Sequence, residues 1–412
     1  MESIPLFESQ RIVLGVTGGI AAYKVCTLAS QLTQCGAQVD VVMTQAATRF
    51  VAPLTFEALT GRPVYTSMWQ AGNEGLPTHI AHVGIAHGAD LLVIAPATAN
   101  TMAKLAAGIA DNLVTTLSLA ARCPVLLAPA MDVGMWHHAA TQANVALLRS
   151  RGVRFAGPTT GRMASGLQGM GRLPEPQELF GHVRLALAQG GPLAGRHLVV
   201  SAGPTREPLD PVRFLSNPSS GRQGYALAQA ALDRAAQVTL VSGPVTLATP
   251  VGAELVRVQT AEQMLHAVLE ASTTADALLM AAAVADYRPT DCSGGKIKKG
   301  SCELELPLAR TDDILAAVSA RRETTGRPSV LVGFAAETSD LLENAKAKLF
   351  DKGLDLIVAN DVTAPGAGFG SGTNRVVLIG RDGEAQELPL LTKTAVAETV
   401  LDSVGALLHA QE

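Results

Sequence analysis

The chain of 412 residues has few aromatic side chains, 4%, and few charged ones, 17%, against 48% apolar residues. That balance excludes a disordered scaffold and fits buried sheets. A formal net charge of -4 supplies no broad basic field, so nucleic acid is not an expected partner and any anion site must be built locally. The opening MESIPLFESQRIVLGV lacks a basic stretch ahead of an apolar one. The longest apolar runs, such as ALLMAAAVA between Asp276 and Asp286, are far too short to cross a bilayer. No membrane partner is expected, and the expected location is the cytoplasm. Five cysteines, Cys26, Cys35, Cys123, Cys292 and Cys302, form no CxxC pair, which argues against structural zinc or a disulfide framework. The first three sit in apolar surroundings and read as small buried hydrophobes. A G-x-G-x-x-G fingerprint is also missing, which weakens the case for an NAD-dependent oxidoreductase.

What is present is alternation. Strand-length apolar runs, RIVLGVT from Arg11, QVDVVMT from Gln38, DLLVIAP from Asp90, PVLLAPA from Pro124 and VRFAGP from Val153, are separated by stretches with helical periodicity at residues 21–34, 100–110 and 137–151. That is the βα signature of a parallel sheet. The break AQGGPLAGRH at residues 188–197 restarts the series with HLVVSAG, QVTLVSG, DALLMAAAVAD, VLVGFAAE and DLIVAND, and helices are expected near residues 222–235, 262–271, 312–322 and 341–352. The predicted fold is α/β, two tandem doubly wound, Rossmann-like domains over residues 1–190 and 191–412. Ligands should lie beyond the carboxyl ends of the strands.

The stretch SAGPTREPLDPVRFLSNPSSGRQG at residues 201–224 follows the first strand of the second series. It carries Arg206, Arg213 and Asn217 among turn residues and runs into a helix near Arg222, a combination suited to an anion such as a nucleotide phosphate. Followed in order by AAAVADYRP, GGKIKKG, VGFAAET and DLIVANDV, it resembles the phosphopantothenate–cysteine ligase half of bacterial bifunctional coenzyme A biosynthesis proteins, over residues 197–377.

The residues are consistent with that chemistry. Joining a carboxylate to the amine of cysteine requires activation on a nucleotide α-phosphate, with cations and oriented donors around a triphosphate. Lys296, Lys298 and Lys299 form a basic cluster in DCSGGKIKKG at residues 291–300, the segment expected to be most mobile. Lys348 and Lys352, four apart, share one helical face. Asn217 offers an uncharged amide for an acyl phosphate oxygen, and Asp286, ending a buried strand, could bind a base, a sugar or a metal. Asp312 and Asp313 read equally well as helix-capping acids. The resemblance implies CTP as the nucleotide, touched by Asp286, Lys296, Asp312, Asp313, Ile314, Leu315, Phe334, Lys348 and Lys352. It assigns Asn217 to formation of the acyl-cytidylate and Lys296 to its turnover as well.

The first half, residues 11–173, resembles flavin-dependent cysteine decarboxylases through APATANTMAK from Ala95 and GVTGGIAAYK from Gly15. The resemblance implies FMN, with Thr17, Gly18, Gly19, Thr44, Ala97 and Asn100 as contacts, and His79 of PTHIAH as the active-site histidine. His82 and His87 are nearby alternatives. Two positions depart from the common pattern: PAMD places Asp132 where an asparagine is usual, and MASGLQGMGR places Ser165 where the flap cysteine donates a proton. Asp132 would set a second negative charge against the substrate carboxylate, and unless a cation compensates one of the two should then hold a proton. Ser165, a far poorer acid than a thiol, either works through a partner or water or leaves an enethiol product.

The expected activity is ligation of cysteine to 4'-phosphopantothenate with CTP, then FMN-dependent decarboxylation of the product to 4'-phosphopantetheine. Mg2+ accompanies the triphosphate, and the family implies a homo-oligomer, a dodecamer built from trimers and dimers. The alternatives are a ligase with an inactive flavin-binding front domain, or a flavin-binding regulatory subunit.

Overall fold

The computed structural model describes residues 4–69, 81–299, 304–337, 340–361, 366, 368 and 370–411. The chain divides into two compact units, Met1–Ala188 and Gln189–Glu412.

In the first unit, strands β1 (Arg11–Val16), β2 (Gln38–Met43), β3 (Val64–Tyr65), β4 (Leu91–Ala97), β5 (Val125–Pro129) and β6 (Arg154–Phe155) form one sheet in the order β3-β2-β1-β4-β5-β6. Every pairing is parallel. The full order is that of dinucleotide-binding folds; without the two-residue edge strand β3 the remaining five follow the flavodoxin order. Helices cover both faces, so β4 is buried along its whole length, as its unbroken apolar run requires. The charged exception is Asp40 in β2, 1% exposed, which is held by Arg11 at 2.5 Å and Arg62 at 2.7 Å. An antiparallel hairpin of β7 (Thr159–Arg162) and β8 (Gln168–Arg172) carries Ser165 in its turn. Sequence periodicity did not anticipate this hairpin, nor the helices Pro53–Thr60, Leu113–Ala120 and Pro176–Leu187.

The second unit contains β9 (His197–Ala202), a small hairpin of β10 (Arg206–Pro208) and β11 (Phe214–Ser216), β12 (Gln237–Ser242), β13 (Glu254–Arg257) and β14 (Ala277–Met280). A second hairpin, β15 (Tyr287–Pro289) with β16 (Leu308–Arg310), precedes β17 (Val330–Glu337) and β18 (Leu356–Asp361). The chain then adds β19 (Thr373–Asn374), β20 (Val376–Gly380), β21 (Ala385–Glu387) and β22 (Leu391–Thr392), with β19 paired to β22. The large sheet runs β13-β12-β9-β14-β17-β18-β20-β21, parallel until β20 and β21 extend it antiparallel. Val199, Val241, Leu278, Leu331 and Ile357 make one apolar layer under it.

In each sheet the chain order reverses at the first strand, between β1 and β4 and between β9 and β14. The loops that leave those strands open a crevice at their carboxyl ends, the place where doubly wound sheets take ligands.

One expectation fails here. The run DALLMAAAVAD was read as a strand ending at Asp286, yet the strand stops at Met280 and Asp286 is exposed in the loop beyond it. The backbone of Ala283 is engaged elsewhere: its N–H donates to Gly203 O at 2.9 Å and its carbonyl accepts from Thr205 N–H at 3.3 Å. Beyond Met280 the ladder continues only as one isolated parallel bridge between Pro204 and Ala283.

Candidate functional site

In the first unit the crevice is closed by one hydroxyl. Thr17 is 1% exposed; its Oγ1 donates to Pro96 O at 2.5 Å and accepts from Thr98 N–H at 3.3 Å, tying the loop after β1 to the loop after β4. Gly18 follows because a Cβ there would lie 2.3 Å from Ala46 Cβ, in the loop after β2. Thr44 begins that loop, donating its N–H to Val16 O at 3.0 Å and accepting Ala47 N–H on Oγ1 at 3.2 Å. Ala97 ends β4, and Thr98 caps the helix Ala99–Ala107 by accepting from Thr101 N–H at 3.2 Å. Asn100 is exposed in that helix's first turn. Thr17, Gly18, Gly19, Thr44, Ala97 and Asn100 therefore sit on the carboxyl ends of three adjacent strands. Residues 17–21, 44–46 and 97–101 contain no acid. A set of hydroxyls and amides at two helix starts fits a phosphate monoester and a neutral ring system, and so fits FMN. At Gly19 an added Cβ would be in ordinary van der Waals contact with Pro96 at 3.7 Å and Thr98 at 3.8 Å.

The two unusual residues of this half meet. Asp132 caps the short helix Val133–His137, its Oδ1 accepting Gly134 N–H at 3.1 Å. Its Oδ2 accepts the Ser165 hydroxyl at 2.9 Å. The flap is tied down beside this contact, with Met131 N–H donating to Gly171 O at 2.9 Å. The carboxylate thus shares its charge with a backbone N–H and the flap hydroxyl. His79 lies outside the described residues, as does the side chain of His82; His87 is exposed at the end of the helix Ala81–His87. Burial pushes the Cys26, Cys35 and Cys123 thiols up, in keeping with packing.

The second crevice is closed by main chain together with the Thr205 hydroxyl. Beyond the Gly203–Ala283–Thr205 exchange, Ala285 N–H donates to Thr205 Oγ1 at 2.9 Å. Gly243, after β12, lies so close to this knot that a Cβ would sit 1.9 Å from Pro204 O. Gly221, at φ 75°, turns the chain into the helix Arg222–Leu232, a left-handed conformation that glycine adopts without strain. Asn217 is placed there, but its amide N–H groups point to Val284 O at 2.9 Å and Ala283 O at 3.4 Å. Its free face is the carbonyl oxygen, so holding an acyl phosphate oxygen requires the amide to turn away from those carbonyls. Asp286 is fixed through its backbone, its carbonyl accepting Thr311 N–H at 3.0 Å.

Asp313 both caps the helix Ile314–Thr325, accepting Ala316 N–H at 3.0 Å, and pairs with Lys352 Nζ. Lys352 is not on the helix with Lys348: the helix Leu341–Asp351 has ended and Lys352 is its C-cap. Asp312 is exposed, Ile314 buried, and Leu315 packs against the core. Phe334 is partly buried in β17, and Lys348 is exposed.

The family model for the DNA/pantothenate metabolism flavoprotein C-terminal domain matches residues 193–407, and the Flavoprotein model matches residues 6–186. The coenzyme A biosynthesis bifunctional protein CoaBC of Bacillus subtilis is 46% identical over 405 residues, 98% of this chain and 98% of its own. That of Mycobacterium tuberculosis H37Rv is 46% identical over 411 residues, 97% of each. The chain belongs to the CoaBC family. A crystal structure of the C-terminal domain of CoaBC is 39% identical, covering 54% of this chain and 100% of that one at a TM-score of 0.46.

With the CoaBC family established, the residues that sequence reasoning passed over stand out. The segment 291–299, expected to be mobile, is pinned: Ser293 N–H donates to Leu209 O at 3.1 Å, Ile297 N–H to Asp210 Oδ2 at 3.1 Å, and Arg213 Nη2 to Ile297 O. Arg213 therefore pairs with Asp210 at 2.7 Å instead of facing an anion, and Arg206 lies over the Phe214 ring at 4.6 Å. The available signal was Asp-Pro in REPLDPVR, a turn-starting pair. Thr98 and Thr205 were missed because threonine in a loop carries no signal of its own. Among the described residues no group of three or more His, Cys, Asp or Glu side chains could hold a metal ion, and no helix is long and apolar enough to cross a membrane.

Proposed function

We propose that this chain carries out two steps of coenzyme A biosynthesis. The second unit joins cysteine to 4'-phosphopantothenate through an acyl-cytidylate made from CTP. The first decarboxylates 4'-phosphopantothenoylcysteine to 4'-phosphopantetheine with FMN. The observation that carries this reading is similarity to CoaBC proteins along 98% of the chain, covering both halves. Mg2+ with the triphosphate, a cytoplasmic location and a homo-oligomer, a dodecamer of trimers and dimers, belong to the same proposal and rest on family membership.

In the first unit, Thr17, Gly18, Gly19, Thr44, Ala97 and Asn100 would hold FMN, whose chemistry is to accept two electrons and a proton from the substrate thiol and return them. His79 acts as base for the thiol proton, a role suited to a group that titrates near neutrality. With the substrate carboxylate alongside, like charges favour a proton on one member of the pair. Asp132 takes it, and Ser165 passes its own proton to the enethiol carbon while receiving the one from Asp132. Asp132 lies 2.9 Å from the hydroxyl, which here donates to it, so the relay requires the hydroxyl to turn to the enethiol and protonated Asp132 to donate to its oxygen.

In the second unit, Asp286, Asp312, Asp313, Ile314, Leu315, Phe334, Lys348 and Lys352 line the CTP site. Asn217 orients the acyl phosphate and Lys296 neutralises charge as the cytidylate forms and is consumed. Because Lys352 already pairs with Asp313, the nucleotide has to displace or join an ion pair on entry.

The test is mass spectrometry of the products when the protein is given synthetic 4'-phosphopantothenoylcysteine without oxygen. Formation of 4'-phosphopantetheine supports the full cycle. An enethiol two hydrogens lighter shows that the Asp132–Ser165 pair delivers no proton, and unchanged substrate refutes the decarboxylase while leaving the ligase.

A further inference from the structure

Asp210 has no place among the residues assigned above, yet its carboxylate accepts four hydrogen bonds. Its side chain is fully buried, 0% exposed. Oδ1 accepts the N–H groups of Val212 and Arg213, each at 2.8 Å, and Oδ2 accepts Arg213 Nε at 2.9 Å. These contacts are local and explain a turn. Two others reach 84 residues or more along the chain: Ile297 N–H on Asp210 Oδ2, and Arg213 Nη2 on Ile297 O. Both backbone polar groups of Ile297 are thereby held by one ion pair, and Ile297 is flanked by the exposed Lys296 and Lys298.

Upstream, Ser293 N–H donates to Leu209 O at 3.1 Å and its hydroxyl to Gly295 O at 2.7 Å. Gly294 and Gly295 precede Ile297, and a Cβ on either would meet no atom within 4 Å, so hydrogen bonds and not side-chain packing hold the chain there. Burial alone would raise the Asp210 carboxyl, but the N–H groups of Val212, Ile297 and Arg213 and the Arg213 guanidinium bring it down to about 2. These donors favour the ionised carboxylate, and with it the pair.

We infer that Asp210 and Arg213 form a latch that fixes the backbone beside Lys296, making Asp210 a positioning residue for turnover of the acyl-cytidylate. This rests on the role proposed above for Lys296. A lysine on a glycine-rich loop must otherwise search for its geometry at each turnover, and a displacement of about 1 Å can lower a rate by about 100-fold.

The experiment is a double-mutant cycle on the full-length protein, Asp210→Asn, Lys296→Gln and the two combined, following cysteine ligation and the amount of acyl-cytidylate by mass spectrometry. The expected result is a loss of about 100-fold for Lys296→Gln and about 10-fold for Asp210→Asn, with the cytidylate accumulating in both. The double variant should be no slower than Lys296→Gln alone. If the two losses multiply, Asp210 acts elsewhere and the latch is overturned while Lys296 keeps its role. If Lys296→Gln ligates at the normal rate, the reading of Lys296 fails and the latch goes with it. Should Asp210→Asn fold poorly, Arg213→Lys keeps the turn and the charge but cannot reach Ile297 O. Trypsin should then cut after Lys296 and Lys298 about tenfold faster with flavin absorbance of the first unit intact, and an unchanged cutting rate overturns the latch.

Discussion

In the first unit the loops leaving β1 and β4 meet through one buried hydroxyl, Thr17, and the crevice residues around it are neutral. In the second, the loops leaving β9 and β14 are joined mainly by main-chain hydrogen bonds, with the buried Thr205 hydroxyl adding one more, and ion pairs lock the outer segments, Asp210 with Arg213 and Asp313 with Lys352. The same topological position is thus built in two ways. A cradle of amides and hydroxyls suits a group that stays bound, because every donor is satisfied by shape. Charges paired in advance suit loops that must keep their shape, Asp210 with Arg213 holding Ile297 and Asp313 with Lys352 joining a helix start to a helix end.

The largest effect should come from Gly243→Ala. The new Cβ would lie 1.9 Å from Pro204 O, a backbone atom that cannot move without opening the knot, so the cost is roughly 3 kcal/mol, the upper end of overpacking. Ligation should be lost while decarboxylation of added 4'-phosphopantothenoylcysteine and flavin absorbance persist. Loss of both activities would show that the units are not separately stable and would break the comparison. Gly18→Val is the mirror experiment. Its Cβ clashes with Ala46 at a cost of about 2 kcal/mol, so the protein should purify without flavin colour and ligate normally.

The layers were legible because β4 is an unbroken apolar run and β1, β2, β9, β12 and β17 are apolar runs interrupted only by single polar residues or glycine, such as Asp40 in β2 and Thr239 in β12, and their turns carry Gly, Thr and Asn at the positions where a sheet changes direction. The Asp132–Ser165 contact was half legible. Sequence showed two departures from a pattern, but not that a hairpin would bring them together across 33 residues. The tethers to Ile297 were not legible at all, since DCSGGKIKKG has the composition of a free loop and its restraint comes from a carboxylate 87 residues away. Asp286 was misplaced for the converse reason: alanines that continue an apolar run carry no mark of where the ladder stops.

Thr17→Val sharpens the comparison at a finer scale. The isostere leaves the core filled but removes the donor to Pro96 O and the acceptor for Thr98 N–H, worth about 1.5 kcal/mol. Flavin affinity measured by fluorescence should fall about tenfold, the factor to which that energy corresponds, with ligation unchanged. A matching loss of ligation would mean that the hydroxyl supports the whole chain and not one crevice.

The smallest effect is a difference in acid stability. At the opposite end of the second sheet, burial by itself raises the Asp276 carboxyl, but His197 N–H at 2.8 Å, Arg327 at 2.6 Å and Arg196 at 3.4 Å outweigh it and hold the group below its usual value. Asp210 is likewise drawn down, to about 2. A carboxyl depressed in the folded state contributes stability that is complete above its unfolded value of about 3.9 and is lost as pH falls through the folded one. The first unit's depressed carboxyls, Asp111 and Glu175, are surface groups with side chains 50% and 52% exposed, where pairing contributes little. Between pH 4 and pH 2, hydrogen exchange corrected for its intrinsic pH dependence should therefore accelerate in β9 and β14 before it does in β1 and β4. The reverse order would mean that the acid-sensitive charges lie in the neutral-looking unit, and the distinction between the two constructions would not survive it.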